Sequence, residues 1–472
     1  MSVGKPFQQH IYYKSPPFLK NLISSFYGLI QKRERYKKQY KKSFDFLQES
    51  QWFSNGKLRE LQFEETRNFL IHAATHTGYY RKLFKDADFD PQTFKSLDEV
   101  SHLPILRKST IREKINYFLA DNYSRRNVLW AHTSGTTGQA LSFPLSSECF
   151  QREHAFRHIH YSWGGVSDGD KIAVCAGHPV TFISRSRPPF WTYDYINNWL
   201  ILSSYHLNES NLLSYIDELA KFQPDMLKGY PSSVYLLALA NKKWGQKVKT
   251  KAVYTASETL LDFQRKAIES YFGCKVFNWY GTSEMCVNIV ECDHGSMHLK
   301  QEHSYIELLD LNNKPVKPGE EGRIVCTAFG NYALPFIRYD LGDIAIKSQE
   351  SKCSCRRGGE VIDKIVGRKE DYIITPDGRF IGRLDHLFKD SINIIEAQII
   401  QNEFGRIIIR AVINKNYNAA DESAVLKEAR ERLGKEVKID FEYVEAIPRT
   451  KSGKFRFIVS NVDKQKIFDN LI

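Results

Sequence analysis

Between residues 171 and 279, short apolar runs alternate with amphipathic stretches, and this alternation restricts the fold more than any other feature of the chain. Lys171–Cys175 reads as a strand, Leu212–Phe222 as a helix, Met226-Leu227 as a short strand and Ser232–Asn241 as a helix. Ala252–Thr255, Leu261–Phe272 and Val276–Trp279 continue the series as strand, helix and strand. Parallel neighbours need a long crossover, usually a helix, so the pattern predicts βαβ units and an α/β body. A helix is expected before it, over Cys149–Tyr161. After residue 300 the strands shorten and turn signals crowd in, as in Asn312-Asn313-Lys314-Pro315, which predicts a small antiparallel region. Beyond Gly367 the order is strand (392–400), strand (406–413), helix (420–433, stopped by Gly434) and strand (437–444), a compact α+β unit. The expected organisation is a large N-terminal domain over 1–366, with mixed and parallel sheets flanked by helices, and a small mobile α+β domain over 367–472.

Residues 1–90 read as a helical, basic segment of the large domain. Phe18, Leu19, Leu22, Ile23, Phe26, Leu29 and Ile30 fall at helical spacing, and the basic run Lys32–Lys38 follows. The preferred reading is a helix packed on its own domain with a solvated basic end; the other is an interfacial helix in peripheral contact with an anionic membrane. No apolar run is long enough to cross a bilayer, and Met1-Ser2-Val3-Gly4-Lys5-Pro6 leads into no signal-peptide core, so a cytoplasmic location is expected. Eight cysteines without a regular framework fit a reducing compartment. A formal charge of +12 favours anionic ligands, but no zinc-finger spacing, RNP-type motif or arginine-rich tail points to nucleic acid, and none is expected as a partner.

Six further stretches carry chemistry. The first, His132-Thr133-Ser134-Gly135-Thr136-Thr137-Gly138-Gln139, lies between two short apolar runs, and its glycines, hydroxyls and N–H groups suit phosphate oxygens. Gly138 precedes Gln139 rather than Lys, so this is not the common P-loop. Next come Tyr254-Thr255-Ala256-Ser257-Glu258-Thr259 and Asn278-Trp279-Tyr280-Gly281-Thr282-Ser283-Glu284, both at strand ends. Arg338-Tyr339-Asp340-Leu341-Gly342-Asp343 and Gly367-Arg368-Lys369-Glu370-Asp371 follow, and the chain closes on Pro448-Arg449-Thr450-Lys451-Ser452-Gly453-Lys454.

In this order, across roughly residues 90 to 460, the motifs resemble those of the adenylate-forming superfamily of acyl-CoA synthetases, adenylation domains and luciferases. Ser134-Gly135-Thr136-Thr137-Gly138 and Tyr280-Gly281-Thr282-Ser283-Glu284 are similar to the phenylacetate–CoA ligase-like branch, which includes members attached to capsular and other surface polysaccharide pathways. The resemblance implies an ATP- and Mg²⁺-dependent enzyme that converts a carboxylic acid to its adenylate, releases pyrophosphate and passes the acyl group to coenzyme A. Thr133–Gly138 would hold the triphosphate, Glu284 the Mg²⁺ and Thr282 the α-phosphate. Tyr280 would stack on adenine, with Gly281, Ser257 and Glu258 in the nucleotide site. Asp343 would accept from the ribose hydroxyls, and Arg368 would approach the sugar or phosphate. Lys454 matches the catalytic lysine; Lys451 does not fit the spacing to Gly453. The hinge of the rotating small domain falls on Glu370 or Asp371, since this chain has Glu where the family has Asp. An amine, a carrier protein or a polysaccharide precursor is the alternative acceptor, and a non-catalytic, membrane-associated nucleotide-binding scaffold is the rival of another class.

Cys292, His298, Cys353 and Cys355 offer three thiols and an imidazole for a closed tetrahedral zinc site, with His294 as the alternative to His298. Their spacing departs from finger patterns and leaves unrelated cysteines open as a reading. The resemblance favours a structural zinc, which some members of the branch carry. The walls of the acid pocket are expected near His178, Tyr230 and Thr255–Glu258.

Overall fold

The computed structural model describes residues 12–132, 141–178, 180–182, 185–207, 210–310, 312–350, 353–368, 373–376, 380–381, 384–388, 393–448 and 456–462. Its first helices are α1 (Pro17–Arg35), α2 (Lys38–Ser50), α3 (Asn55–His76), α4 (Gly78–Asp86) and α5 (Lys108–Phe118). Strands β1 (Leu129–His132) and β2 (Ser142–Leu145) pair antiparallel on either side of residues 133–140. Then come helix α6 (Ser147–Trp163) and strands β3 (Ile172–Ala176), β4 (Trp191–Asp194) and β5 (Trp199–Ser203). The expected alternation follows as α7 (Leu212–Phe222), β6 (Met226–Gly229), α8 (Pro231–Lys243), β7 (Ala252–Ala256), α9 (Asp262–Phe272) and β8 (Lys275–Gly281). Strands β9 (Asn288–Glu291), β10 (Met297–Leu299), β11 (Ser304–Leu309), β12 (Glu321–Ala328), β13 (Tyr339–Lys347) and β14 (Val361–Arg368) complete this part.

Among the described residues, twelve of these strands form one mixed sheet in the order β11-β12-β13-β14-β10-β9-β8-β7-β6-β3-β5-β4. Pairings from β8 through β7, β6 and β3 to β5 are parallel, with α7, α8 and α9 crossing from β5 to β6, β6 to β7 and β7 to β8; those outside them are antiparallel. The antiparallel strands expected after residue 300 thus extend one end of the same sheet. Alternation along each strand divides its two faces. Ala173, Leu227, Val253 and Val276 pack with Ile216, Leu219, Leu237 and Ile268 of α7–α9, whereas Met226, Tyr254 and Phe277 pack toward Tyr161 and Trp163 of α6. The β4–β5 hairpin is absent from the sequence reading, which leaves residues 177–211 unassigned; Asn198 takes a left-handed conformation in its turn.

Helix α1 is packed on its own domain, but by its polar side. Lys20, Ser25, Gly28 and Gln31 are its buried residues, while Phe18, Leu19, Leu22, Ile23, Phe26, Tyr27 and Ile30 are exposed. The helix lies along β4, the edge strand. Asn21 Oδ1 accepts from Tyr193 N and Thr192 Oγ1, each at 3.0 Å, and Ser25 Oγ accepts from Tyr195 N at 2.9 Å. Side chains thereby occupy donors that an open edge would leave unpaired. The approach is close enough that a Cβ on Gly28 would stand 2.1 Å from Asp194 Oδ2.

The C-terminal domain carries a small hairpin, β15 (Ile373–Ile374) with β16 (Phe380–Ile381), and a separate four-stranded sheet. In that sheet β17 (Ile394–Glu403) and β18 (Arg406–Ile413) are antiparallel, α10 (Ala419–Leu433) crosses over to β19 (Lys438–Tyr443), and β20 (Ile458–Ser460) pairs parallel with β17. Ile399, Ile407, Ile409, Val425, Ala429 and Leu433 form its core.

At the start of β13 the buried guanidinium of Arg338 faces Glu307 of β11 at 3.0 Å and donates to the carbonyls of Ser101 and Leu103 at 2.7 and 2.5 Å. These bonds tie the segment before α5 to the sheet. Removing one partner of a buried pair leaves the other charge uncompensated, so Arg338→Met is expected to lower unfolding free energy by about 3–5 kcal/mol in urea titrations. A variant as stable as the parent would show that the pair carries none of the fold.

Candidate active site

Parallel strands present their carboxyl ends and the following loops on one side of a sheet, where open α/β proteins form ligand crevices. Here Ser257 and Glu258 follow β7, and Thr282, Ser283 and Glu284 follow β8. All five line a cavity of about 1390 Å³, together with Tyr280, Gly281 and Asp343. His178, Tyr230 and Thr255 line it as well, so the residues named for the acid pocket and the described ones named for the nucleotide share one space. Arg456 of the C-terminal domain also reaches it.

Two hydrogen bonds join the end of β8 to β13. Tyr280 Oη donates to Asp343 Oδ2 at 2.5 Å, and Tyr339 Oη donates to Glu284 Oε1 at 3.1 Å. Burial, and then the adjacent carboxylate, raises the pKa of each phenol, so both remain donors. Glu284 and Asp343 are each only 7% exposed. Glu284 keeps its second oxygen without a described partner, which suits a carboxylate that is to meet a cation. The Thr282 hydroxyl lies 3.2 Å from Cys286 Sγ, a weak partner that a stronger acceptor can replace. Glu258 accepts from Ser232 N at 3.2 Å, and Ser257 turns the chain out of β7 with φ +72°. Arg368 pairs with Asp343 in the backbone register of β13 and β14. Thr133–Gly138, Glu370, Asp371 and Lys454 lie outside the described residues, as does the Arg368 side chain.

The four candidate metal ligands meet. Cys292 follows β9, His298 is in β10, and Cys353 and Cys355 precede β14; their ligand atoms all lie within 4.8 Å of one another. Cys292 Sγ is 3.6 Å from Cys353 Sγ, and Cys355 Sγ is 3.4 Å from His298 Nε2. Tetrahedral bonds of about 2.3 Å to sulfur and 2.0 Å to nitrogen give edges of roughly 3.5–3.8 Å, which these two distances approach, so the donor set has the chemistry and the size for zinc. His298 Nδ1 faces the Gly358 carbonyl at 3.4 Å, the outer partner that directs Nε2 inward. Backbone N–H groups of Cys355 and Arg357 point at Cys353 Sγ and Cys355 Sγ, each at 3.4 Å, the kind of outer contact that a metal-bound sulfur accepts. His294 instead faces Ser354 Oγ at 2.8 Å and stands outside the four.

The sequence reading passes over Tyr339 as the partner of Glu284, and over Arg35, Arg157, Trp199 and Lys228, which line the far part of the cavity. One signal exists for the last: a lysine directly after Met226-Leu227, where a strand buried in a parallel sheet ordinarily continues apolar.

Residues 373–461 match the family model of the CapK C-terminal domain. Over 463 residues the chain is 26% identical to protein CapK of Staphylococcus aureus, spanning 96% of this chain and 99% of CapK. It is 24% identical to the phenylacetate-coenzyme A ligase of Thermus thermophilus, across 67% of this chain and 72% of that enzyme. Among solved structures, 2-hydroxyisobutyryl-CoA ligase in its postadenylation state superposes with a TM-score of 0.70 over 89% of this chain and 93% of its own, at 18% identity. That likeness carries the fold.

Proposed function

We propose that this chain, whose relatives are CapK and the phenylacetate–CoA ligases and whose fold is that of the adenylate-forming superfamily, is an AMP-forming acid–CoA ligase. The observation that carries this is the convergence of Thr282, Glu284, Tyr280 and Asp343 on one cavity at the carboxyl ends of the parallel strands. A carboxylate oxygen attacks the α-phosphorus of ATP, the bond to the bridging oxygen breaks and pyrophosphate leaves; the thiol of coenzyme A then displaces AMP. Nucleophile and electrophile are both anionic, so positioning and charge stabilisation dominate. Thr282 donates to the α-phosphate, Asp343 accepts from the ribose, Tyr280 offers its ring to adenine, and the 133–138 loop holds the triphosphate. Glu284 would hold Mg²⁺, which takes one or two carboxylates beside phosphate oxygens and supplies positive charge there. Lys454 bridges acyl and phosphate oxygens from the mobile C-terminal domain over 367–472, turning at Glu370 or Asp371. The similarity to CapK over nearly the whole chain favours a second reading of the acceptor, an amine, carrier protein or sugar of a surface polysaccharide.

Cys292, His298, Cys353 and Cys355 would hold a structural zinc that joins the β9–β10 hairpin to the segment before β14. Helix α1 supports a peripheral membrane contact. Phe18 and Phe26 are 67% and 65% exposed on the same face as Leu22 and Ile30, and exposed Arg33, Lys37, Lys38, Lys41 and Lys42 follow. An apolar face with an adjoining basic cluster matches the interface of an anionic bilayer. No helix among the described residues is long and apolar enough to cross it.

Three measurements test these readings. ATP–pyrophosphate exchange should require a carboxylic acid and fall by a factor of about 10² or more in Lys454→Ala, as for loss of a transition-state charge contact; absence of exchange with every acid class would favour the scaffold. Elemental analysis should find one zinc per chain, with a lower melting temperature after chelation; a full-length protein free of zinc at unchanged stability would remove the metal. The protein should sediment with phosphatidylglycerol vesicles but not phosphatidylcholine, and Phe18→Asp/Phe26→Asp should abolish this. Binding indifferent to those residues would overturn the membrane contact.

A further inference from the structure

At the part of the cavity remote from β8, three cations gather beside a single carboxylate, Glu153. Lys228 is the third residue of β6, with Val174 of β3 and Tyr254 of β7 as its lateral neighbours. Strand alternation points it, with Met226, toward α6. Its ammonium lies 4.1 Å from the ring centre of Trp199 and 5.4 Å from that of Tyr161. Arg35, at the end of α1, lies 5.6 Å over the same Trp199 ring, and Arg157 of α6 lines the same space.

The balance of charge is one-sided. Arg157 meets Glu153 at 3.2 Å, but that carboxylate also serves His303 at 3.4 Å and Asn288 at 2.9 Å. Arg35 donates to the neutral Gln31 at 3.0 Å, and its Nε has no partner. Lys228 has no hydrogen-bond or ion-pair partner among the described residues; two aromatic faces are its polar company. Burial pushes its ammonium down to about 7, and Arg35 and Arg157 push it the same way. Ring faces ease the burial of a cation without cancelling its charge. A methionine would fill the same length without the penalty, so the lysine is explained by something that enters the cavity.

We propose that the acid activated here carries a second anionic group, carboxylate or phosphate, at the end remote from its reacting carboxylate, and that Lys228, Arg35 and Arg157 hold that group. The inference rests on the acid-activation reading. In the sheet β6 stands two strands from β8 and β5 stands four, so at ~4.8 Å per strand Lys228 and Trp199 lie roughly 10 and 19 Å across from the strand that presents Thr282 and Glu284. The two charges of the substrate are therefore separated by a chain of several atoms. A short monoacid leaves the cations empty.

The test uses the full chain and matched pairs: adipate against hexanoate, suberate against octanoate, and 6-phosphogluconate against gluconate, the last separating a phosphate from a carboxylate. In pyrophosphate exchange the member of at least one pair that carries the second anionic group should have the higher kcat/KM by about 10- to 100-fold, the range of one hydrogen bond to a charged group. Lys228→Met should erase the preference mainly through KM, and Lys228→Arg should restore part of it. Equal use of both members, or a preference that survives Lys228→Met, overturns the proposal. Melting curves with the same acids decide independently of turnover. Dianions that stabilise the parent beyond Lys228→Met, without exchange, keep the anion site and sink the ligase reading; equal shifts in both proteins overturn the anion site. Stabilisation by coenzyme A alone that depends on Lys228 also overturns it. Arg35→Gln repeats the comparison if Lys228→Met does not fold.

Discussion

Twisted sheets of twelve strands rarely stay open without curling or splitting, and the curl of this sheet is the constraint on which the site depends. Four strand spacings separate β13 from β8 in the sheet order, roughly 19 Å were it flat. Yet Tyr280 touches Asp343, and Tyr339 touches Glu284. The antiparallel end must therefore roll back over the end of the parallel half. Leu141, Phe143, Val287, Ile324 and Phe336 fill the hollow so made, with the Phe143 and Phe336 rings edge to face. The cysteine–histidine cluster sits on the same turn of the sheet, between β9, β10 and the chain entering β14. Core, cluster and the two buried carboxylates are in this sense consequences of one bend.

The parallel half is legible from sequence because each strand is a short apolar run and each crossover an amphipathic helix, signals that lie within a dozen residues. The curl is not, because no local pattern encodes which antiparallel strand lies beside which. Motif order stands in for it: Tyr280 and Asp343 are 63 residues apart, and only the resemblance places them in one site before the fold does. The candidate metal ligands show both limits. Residue types offer the set and the resemblance favours it, but the choice between His294 and His298 is made by β10, which turns His298 toward Cys355 and leaves His294 to Ser354. Helix α1 shows a third. Periodicity finds its apolar face correctly and says nothing of which way that face looks; the polar edge of β4 recruits Asn21 and Ser25, and the phenylalanines are left outside.

Helix α6 explains why the cavity can be polar at all. Gln151, Glu153, His154 and His160 are buried along it, an unusual inventory for a helix packed on a parallel sheet. Much of this polarity is tied into bonds: Glu153 to Arg157, His303 and Asn288, and His160 Nε2 to the Glu291 carbonyl at 2.8 Å. Those bonds hold the Glu153 carboxylate down to about 2 although burial opposes it, while burial pushes His160 down to about 3 and leaves its ring neutral. The network therefore supplies rigidity and little net charge. Against that background of little net charge Lys228 stands apart, since low-dielectric surroundings amplify the field of an uncompensated ammonium. One end of the cavity thus carries buried carboxylates that suit a metal–nucleotide complex, and the other carries excess positive charge. On the proposed reading, the acid that satisfies both is anionic at its end remote from the nucleotide.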